Sequence, residues 1–147
     1  MERIFQKPNA IAFLKGGSDT PTVFGRVEFY QKAHCVLVVA DVGGLPKTEE
    51  GFYGFHIHEG KSCEGENFSE SKSHYNPEGR SHPEHAGDLP PLLLCGKIAY
   101  LSVLTCRFKI EDIIGKTVII HSMPDDFKTQ PSGDAGKKIA CGIIKKT

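Results

Sequence analysis

The sequence predicts an all-β protein, built as a sandwich or barrel of short antiparallel strands. Segments rich in β-branched and aromatic residues recur along the chain, and helical periodicity is scarce. Within 22–30, one set of residues alternates with its neighbours, as expected when one sheet face meets a core; the set is Val23, Gly25, Val27 and Phe29. Strands are predicted over 10–14, 22–30, 35–41, 52–58, 96–104, 116–121 and 138–144, and glycine pairs suit the tight connections between them.

Length and charge set limits on the organisation and on the partners of the chain. At 147 residues it is expected to form a single domain over 1–147. The 18 basic residues balance the 18 acidic ones, so no overall field attracts nucleic acid or an anionic membrane. Neither partner is expected, and attraction of a charged substrate must be local.

The first residues and the cysteines bear on the compartment. The start, MERIFQKPNA, lacks the apolar core of a secretory signal, and no apolar run approaches the roughly 18–20 residues of a membrane span. A cytoplasmic protein is therefore expected. Five cysteines are too few for a disulfide scaffold, and their odd number leaves at least one thiol unpaired, so one bridge or none is expected.

Two long segments, 59–94 and 124–136, interrupt the strand pattern and are rich in Gly, Pro, Ser and charged residues. A loop of about 35 residues is unusual in a compact domain unless it is functional, disordered or held by something other than strand pairing. The first loop contains His74, His82, His85 and Asp88. We therefore expect a bound metal to hold it.

His56 and His58 lie two residues apart in a predicted strand, so both imidazoles leave the same face and can meet at one ion. Such a pair alone is a weak signal, because a half-exposed polar strand face looks the same. The three loop histidines with Asp88 form an N3O set that suits tetrahedral zinc. His121 ends an apolar strand and by itself would more often be an ordinary strand-end residue.

Taken together, these motifs resemble those of one family, the copper–zinc superoxide dismutases. The matching segments are GFHIH at 54–58, HYNP at 74–77, HAGDL at 85–89, HSMPDD at 121–126 and GDAGKKIACG at 133–142. The resemblance spans nearly the whole chain. It implies an eight-stranded Greek-key β-barrel or sandwich, immunoglobulin-like in arrangement, with long metal-binding loops.

The resemblance also implies the ligands and the reaction. Copper would be held by His56, His58, His74 and His121, and zinc by His74, His82, His85 and Asp88. His74 would bridge the two metals. Copper would cycle between Cu(II) and Cu(I) while superoxide becomes oxygen and hydrogen peroxide, zinc would order the loop, and His74 would supply a proton to the peroxide.

Further roles follow from the same resemblance. Asp125 would accept hydrogen bonds from His56 and His82, linking the two sites. Cys63 and Cys141 would form a disulfide that tethers the loop to the barrel. The other cysteines stand in apolar surroundings and are expected to be small buried residues; they are Cys35, Cys95 and Cys106. His34 lies in a predicted strand and is expected to be structural or exposed.

The chain departs from the family pattern in its loops and at one charge. The arginine that guides the anion above copper is replaced by Lys138, beside Lys137; a lysine keeps the charge but loses the planar fork. The stretch from Asp125 to Cys141 is shorter than in the eukaryotic enzymes, and His82 and His85 are only three residues apart. These loops resemble those of bacterial members of the family. The subunit interface is expected to differ from that of the eukaryotic dimer, and a homodimer is one alternative for the assembly.

Two other functions remain open at this point. Members of the family that have lost copper ligands act as zinc-stabilised or copper-carrying binding proteins; the complete ligand set here favours the enzyme. A copper chaperone with a dismutase-like domain would need a further domain with a CxxC motif, and the sequence contains none.

Overall fold

The computed structural model describes residues 6–147, and most of their regular structure is β. The strands, in chain order, are β1 (Ala10–Gly16), β2 (Phe24–Lys32), β3 (Cys35–Gly43), β4 (Phe52–Tyr53), β5 (Phe55–His58), β6 (Leu92–Cys95), β7 (Ile98–Thr105), β8 (Thr117–His121), β9 (Lys138–Ile143) and β10 (Lys145–Lys146). A 3₁₀ segment covers Glu66–Ser71 and one short helix, α1, covers Ile110–Ile113. The predicted all-β class is confirmed, and no helix within 6–147 is long and apolar enough to cross a membrane.

The strands form one antiparallel sheet in the order β4-β6-β7-β3-β2-β1-β9-β8-β5, with β10 added beside β1. Its two end strands, β4 and β5, are halves of a single extended segment, so the sheet curls round and nearly closes on itself. Counting these halves as one strand and setting aside β10 gives eight strands. The connections from β3 to β4 and from β7 to β8 join strands that are not neighbours and therefore cross an end of the barrel.

Gly54 lies at the break between β4 and β5, where the barrel closes. A Cβ atom at this position would lie 2.8 Å from Ala135 Cβ and 3.2 Å from His121 Cβ. Only glycine fits without moving these neighbours, because real Cβ atoms do not approach so closely. The residue thus lets the closing strand pass directly beside the end of β8.

The period-two pattern in β2 matches the structure. Val27 and Phe29 are fully buried, whereas Phe24 on the opposite face is 65% exposed. The barrel core is filled from β1 to β9 by such inward residues, among them Leu14, Val38 and Ile120.

All seven predicted strands are present, with boundaries shifted by one or two residues and with 52–58 interrupted at Gly54. Four elements were missed: β6, which falls within the predicted loop and its margin, the 3₁₀ segment at Glu66–Ser71, the two-residue β10 and the single turn of α1. Strand β6 follows Pro90 and Pro91, which favour a loop at the sequence level. It pairs with β4 on one side and on the other with β7, which the chain reaches through the tight turn at Gly96.

The expectation of one disulfide or none is wrong. Cys63 and Cys141, 78 residues apart, form one bridge, and Cys35 and Cys106, 71 residues apart, form a second. The second arises because Val36 pairs with Thr105 in the antiparallel β3–β7 ladder, which sets Cys35, just before Val36, opposite Cys106, just after Thr105. Burial was also predicted wrongly: Cys106 and the free Cys95 are exposed, and Cys35 is half-buried.

Candidate metal centre

The candidate ligands come from two adjacent strands and from one loop laid along the free edge of β5. His56 and His58 lie on β5, and His121 ends β8, its neighbour in the sheet. Backbone hydrogen bonds join Tyr75 N to Ile57 O and Ile57 N to Gly87 O, both at 2.8 Å. The loop therefore continues the sheet for a few residues. This pairing, and not metal alone, holds the loop against the barrel, which corrects the sequence-based expectation.

The pairing brings ligands into register. Isolated bridges place His74 opposite His58 and Asp88 opposite His56. The close approach needs Gly87, because a Cβ atom there would lie 2.2 Å from Ile57 O.

Two groups of side chains result, and in each the ligand atoms lie within 4.8 Å of one another. The first contains His56, His58, His74 and His121; the second contains His74, His82, His85 and Asp88. Every member is at most 9% exposed. His74 belongs to both groups, so its ring stands between them.

The hydrogen bonds of the first group leave one ring nitrogen of each strand histidine facing the centre. His56 Nε2 lies 2.7 Å from an Asp125 oxygen, His58 Nδ1 lies 2.8 Å from Lys72 O, and His121 Nδ1 lies 3.3 Å from Gly136 O. A ring nitrogen that donates to an acceptor fixes the tautomer, so the other nitrogen carries a lone pair. The free nitrogens of His58 and His121 are only 3.2 Å apart.

Three buried nitrogens have no hydrogen-bond partner among the described residues: His56 Nδ1, His74 Nε2 and His82 Nδ1. His82 Nδ1 lies 3.0 Å from an Asp88 oxygen, but not in a geometry that makes a hydrogen bond. Buried polar atoms are normally paired, so unpaired lone pairs that converge fit a metal ion. A four-imidazole group suits copper, and an N3O group suits zinc.

Burial keeps these imidazoles neutral, as ligands must be. It lowers the pKa of His56 to about 4, against an opposing hydrogen bond to Asp125, and the pKa of His121 to about 3, with the nearby His56 adding to the shift. The pKa of His58 also falls well below its ordinary value through burial.

Asp125 links the two ligand groups through hydrogen bonds to one histidine ring of each. Its carboxylate accepts hydrogen bonds from His56 Nε2 at 2.7 Å and from His82 Nε2 at 2.8 Å, one on each oxygen. Burial alone would raise its pKa, yet these bonds and one from Phe127 N–H hold the pKa well below the usual range. A single buried anion thus orients one ring of each group.

Comparison with known proteins identifies the family to which the chain belongs. A family model described as copper/zinc superoxide dismutase (SODC) matches residues 23–144. The chain belongs to the copper/zinc superoxide dismutase family. The eight-stranded Greek-key barrel and the two ligand groups agree with that membership.

Curated relatives are found in bacteria and in a virus. Cu-Zn superoxide dismutase 2 of Aquifex aeolicus is 37% identical over 138 residues, covering 84% of this chain and 80% of that protein. The Cu-Zn superoxide dismutase of Legionella pneumophila is 35% identical over 134 residues, covering 85% and 80%. That of Paramecium bursaria Chlorella virus 1 is 32% identical over 154 residues, covering 92% and 77%.

Lys138 opens β9 and is tied to the loop that borders the first group. Its ammonium donates to Ser71 Oγ at 2.8 Å and to Lys72 O at 2.7 Å. Because Lys72 O also accepts from His58 Nδ1, one carbonyl connects the lysine to a candidate ligand. Burial lowers the pKa of Lys138. Lys137, beside it, is exposed.

Several contacts at this centre were not anticipated from the sequence. Lys72 contributes its carbonyl, which any residue could supply. Gln130 and Arg107 bind the backbone of the loop that carries His82 and His85, and nothing in their sequence context distinguishes them from exposed polar residues. His34 lies in the exposed turn between β2 and β3, outside both groups and not in a strand.

The buried histidines predict how the metal-free protein responds to acid. Folding lowers the pKa of His56 to about 4 and that of His121 to about 3, so between about pH 6.5 and about pH 3 the unfolded chain binds more protons than the folded chain. The free energy of unfolding should be level above this range and fall by a few kcal/mol across it. Urea titrations of the metal-free protein across the range would measure the fall.

The variants His121→Ala and His34→Ala provide the comparison. Removing the buried imidazole should flatten the decline, whereas removing the exposed one should leave it unchanged. An identical decline in wild type and His121→Ala would show that His121 does not resist protonation in the folded state.

Proposed function

We propose that this chain converts superoxide to oxygen and hydrogen peroxide, with copper held by His56, His58, His74 and His121 and zinc by His74, His82, His85 and Asp88. The observation that carries this proposal is the placement of His74, one buried ring shared by two complete ligand groups. The complete copper group favours the enzyme over a binding protein on the same barrel.

Copper supplies one-electron redox chemistry when bound, and zinc, which has no redox chemistry, supplies charge and order. The protein positions the rings for both. His74 Nε2 faces the copper group and has no partner among the described residues, while His74 Nδ1 lies 2.8 Å from Asp88. His74 Nε2 is the atom at which a proton can be held for the peroxide product. Asp125 keeps the rings of His56 and His82 in one tautomer throughout.

Lys138 acts as a fixed positive charge near the copper group. Two of its ammonium protons are held by Ser71 and Lys72, so its contribution to an approaching anion is mainly electrostatic. In a chain with no net charge, such a local cation decides where superoxide is attracted.

Single substitutions should separate the two metal groups. His121→Ala should abolish turnover while zinc stays bound, because His121 belongs to the first group alone. Asp88→Ala should release zinc, because Asp88 supplies the oxygen of the second group. Metal content by mass spectrometry, together with superoxide turnover after copper loading, measures both effects.

His34→Ala serves as the control, since it removes an exposed imidazole from neither group and should change nothing. Full activity in His121→Ala would place copper elsewhere. Unchanged zinc stoichiometry in Asp88→Ala would reject the zinc assignment.

The charge of Lys138 should appear in the rate. Activity should fall with salt as the Debye length shortens from about 30 Å at 0.01 M to about 10 Å at 0.1 M. Lys138→Glu should lower kcat/KM by roughly tenfold or more through repulsion. Lys138→Arg should match or exceed the parent, because the charge remains and a planar fork is gained. Steady-state assays across ionic strength would measure these changes.

Lys137→Glu is the matched control: it reverses an adjacent charge that is exposed and should reduce kcat/KM much less. Equal losses from the two reversals would mean that only the summed local field matters.

We further propose that the protein forms a homodimer through an exposed apolar patch on the outer barrel face. In the part of the chain that the structure describes, the patch comprises Phe24, Phe52, Leu93, Ile98 and Tyr100, which are 39–65% exposed. Phe52 pairs with Leu93, and Phe24 and Ile98 flank Gly43 in one row across three strands. Monomers rarely expose contiguous apolar patches of this kind.

Charges beside the patch favour a second copy as the occupant. Arg26 pairs across strands with Asp41, which in turn pairs with Tyr100 of the patch. Opposite charges therefore stand side by side at the rim, where Arg26 forms an ion pair with Glu28 at 2.9 Å. A twofold axis that sets this basic side of one copy against Asp41 of the other makes the two rims complementary in charge. The patch itself carries no charge that would be buried without a partner.

Sedimentation velocity at micromolar concentration should show a dimer. Leu93→Glu or Ile98→Glu should raise the Kd of the dimer at least about tenfold, because each would bury a charge in an apolar interface. Leu104→Glu, which changes a comparably exposed leucine on β7 outside the patch, should leave it intact. A monomeric wild type, or equal effects from all three substitutions, would overturn the proposal.

A further inference from the structure

The segment 82–85 carries two ligands of the zinc group but lies in no strand or helix. Its local backbone contacts are two turns, from Glu84 N to Ser81 O at 2.8 Å and from Asp88 N to His85 O at 3.1 Å, and His85 N also donates to Asp88 Oδ2 at 3.0 Å. Its remaining support comes from two side chains that reach it from distant parts of the chain. These side chains are Gln130 and Arg107.

Gln130 binds both backbone groups of His82. Its Oε1 accepts from His82 N at 2.8 Å, and its Nε2 donates to His82 O at 2.7 Å. A single amide thus pairs with one residue in the way a neighbouring strand would. Since Asp125 accepts from His82 Nε2, the loop 125–130 holds this residue by its backbone and by its ring.

The loop that carries Gln130 is itself braced. Asp126 Oδ1 accepts from Lys128 N and Thr129 N at 2.8 Å each. Gly133 closes the turn, donating to Thr129 O at 2.7 Å and accepting from Asp126 N at 2.9 Å. Gln130 therefore extends from a preformed turn and loses less freedom on binding His82 than a side chain on a loose loop would.

Arg107 holds the other side of the segment. Its Nη1 donates to Pro83 O at 2.7 Å and to His85 O at 3.1 Å. The residue before it, Cys106, is bonded to Cys35 at the start of β3. The guanidinium is thereby anchored to the barrel wall, and the carbonyl of a zinc-group ligand is anchored to the guanidinium.

We propose that Gln130 and Arg107 are positioning residues that set the rate at which zinc leaves the protein. Release requires His82 and His85 to move away from the ion, and neither backbone can move until its clamp opens. Removing a clamp should make that local opening more frequent. The proposal rests on the zinc assignment made above, since it concerns the same ligands, but not on superoxide turnover.

The test is the rate of zinc transfer from the zinc-loaded protein to excess chromophoric chelator. Gln130→Met and Arg107→Met keep side-chain length and remove the hydrogen bonds. Each should release zinc roughly 10–100 times faster than wild type, the range typical of residues that support a ligand. Gln130→Glu keeps the acceptor for His82 N–H but sets a carboxylate oxygen against His82 O, so it should also release zinc faster than wild type.

Gln31→Met is the matched control. The Gln31 amide also binds backbone, donating to Ala33 O and Cys35 O and accepting from Ile110 N, but none of these belongs to the zinc group. Its removal should lower the melting temperature with and without zinc and leave the release rate unchanged. Loss of Gln130 should instead lower the melting temperature mainly in the zinc-loaded protein.

Wild-type release rates in both Gln130→Met and Arg107→Met would overturn the proposal, as would equal melting shifts in their metal-free and zinc-loaded forms. These results differ from a failed zinc assignment, in which Asp88→Ala would itself retain zinc.

Discussion

Buried imidazoles must have each ring nitrogen satisfied, and this requirement governs the structure around the metal centre. One nitrogen of each strand histidine is taken by a protein acceptor: Asp125 for His56, Lys72 O for His58 and Gly136 O for His121. What remains is a set of converging lone pairs that the protein does not satisfy. Because an unpaired buried polar atom is costly, metal binding and the folded arrangement of the loops stabilise each other.

The way in which the barrel closes brings these imidazoles together. The interruption at Gly54 lets β5 turn toward β8, so that His56, His58 and His121 share one end of the sheet. The free edge of β5 would otherwise expose unpaired backbone groups. The loop through Tyr75 and Gly87 covers that edge, and the same hydrogen bonds that cover it deliver the bridging ring. Edge protection and ligand delivery are thus one structural feature.

Much of this could be predicted because the relevant patterns are local. Strand alternation in 22–30 and the spacing of His56 and His58 depend on neighbouring residues alone. The Cys35–Cys106 bridge depends on the register between β3 and β7, which residues 71 apart do not reveal. The contacts of Gln130 and of Lys138 depend on carbonyls, which every residue carries. Side chains that act through backbone groups leave no pattern in the sequence.

The Cys63–Cys141 disulfide gives the clearest case of distant elements joined in one chain of contacts. Cys141 lies on β9, three residues after Lys138, and Cys63 begins the segment that leads to Ser71 and Lys72. The bridge therefore ties the segment that supplies both acceptors to the strand that carries the ammonium. Since Lys72 O also holds His58 Nδ1, any displacement of this loop would move the cation and turn a copper-group imidazole together. The disulfide and the shared Lys72 carbonyl therefore act on the same loop, which explains why a loop with little apolar content can border the site without loosening it.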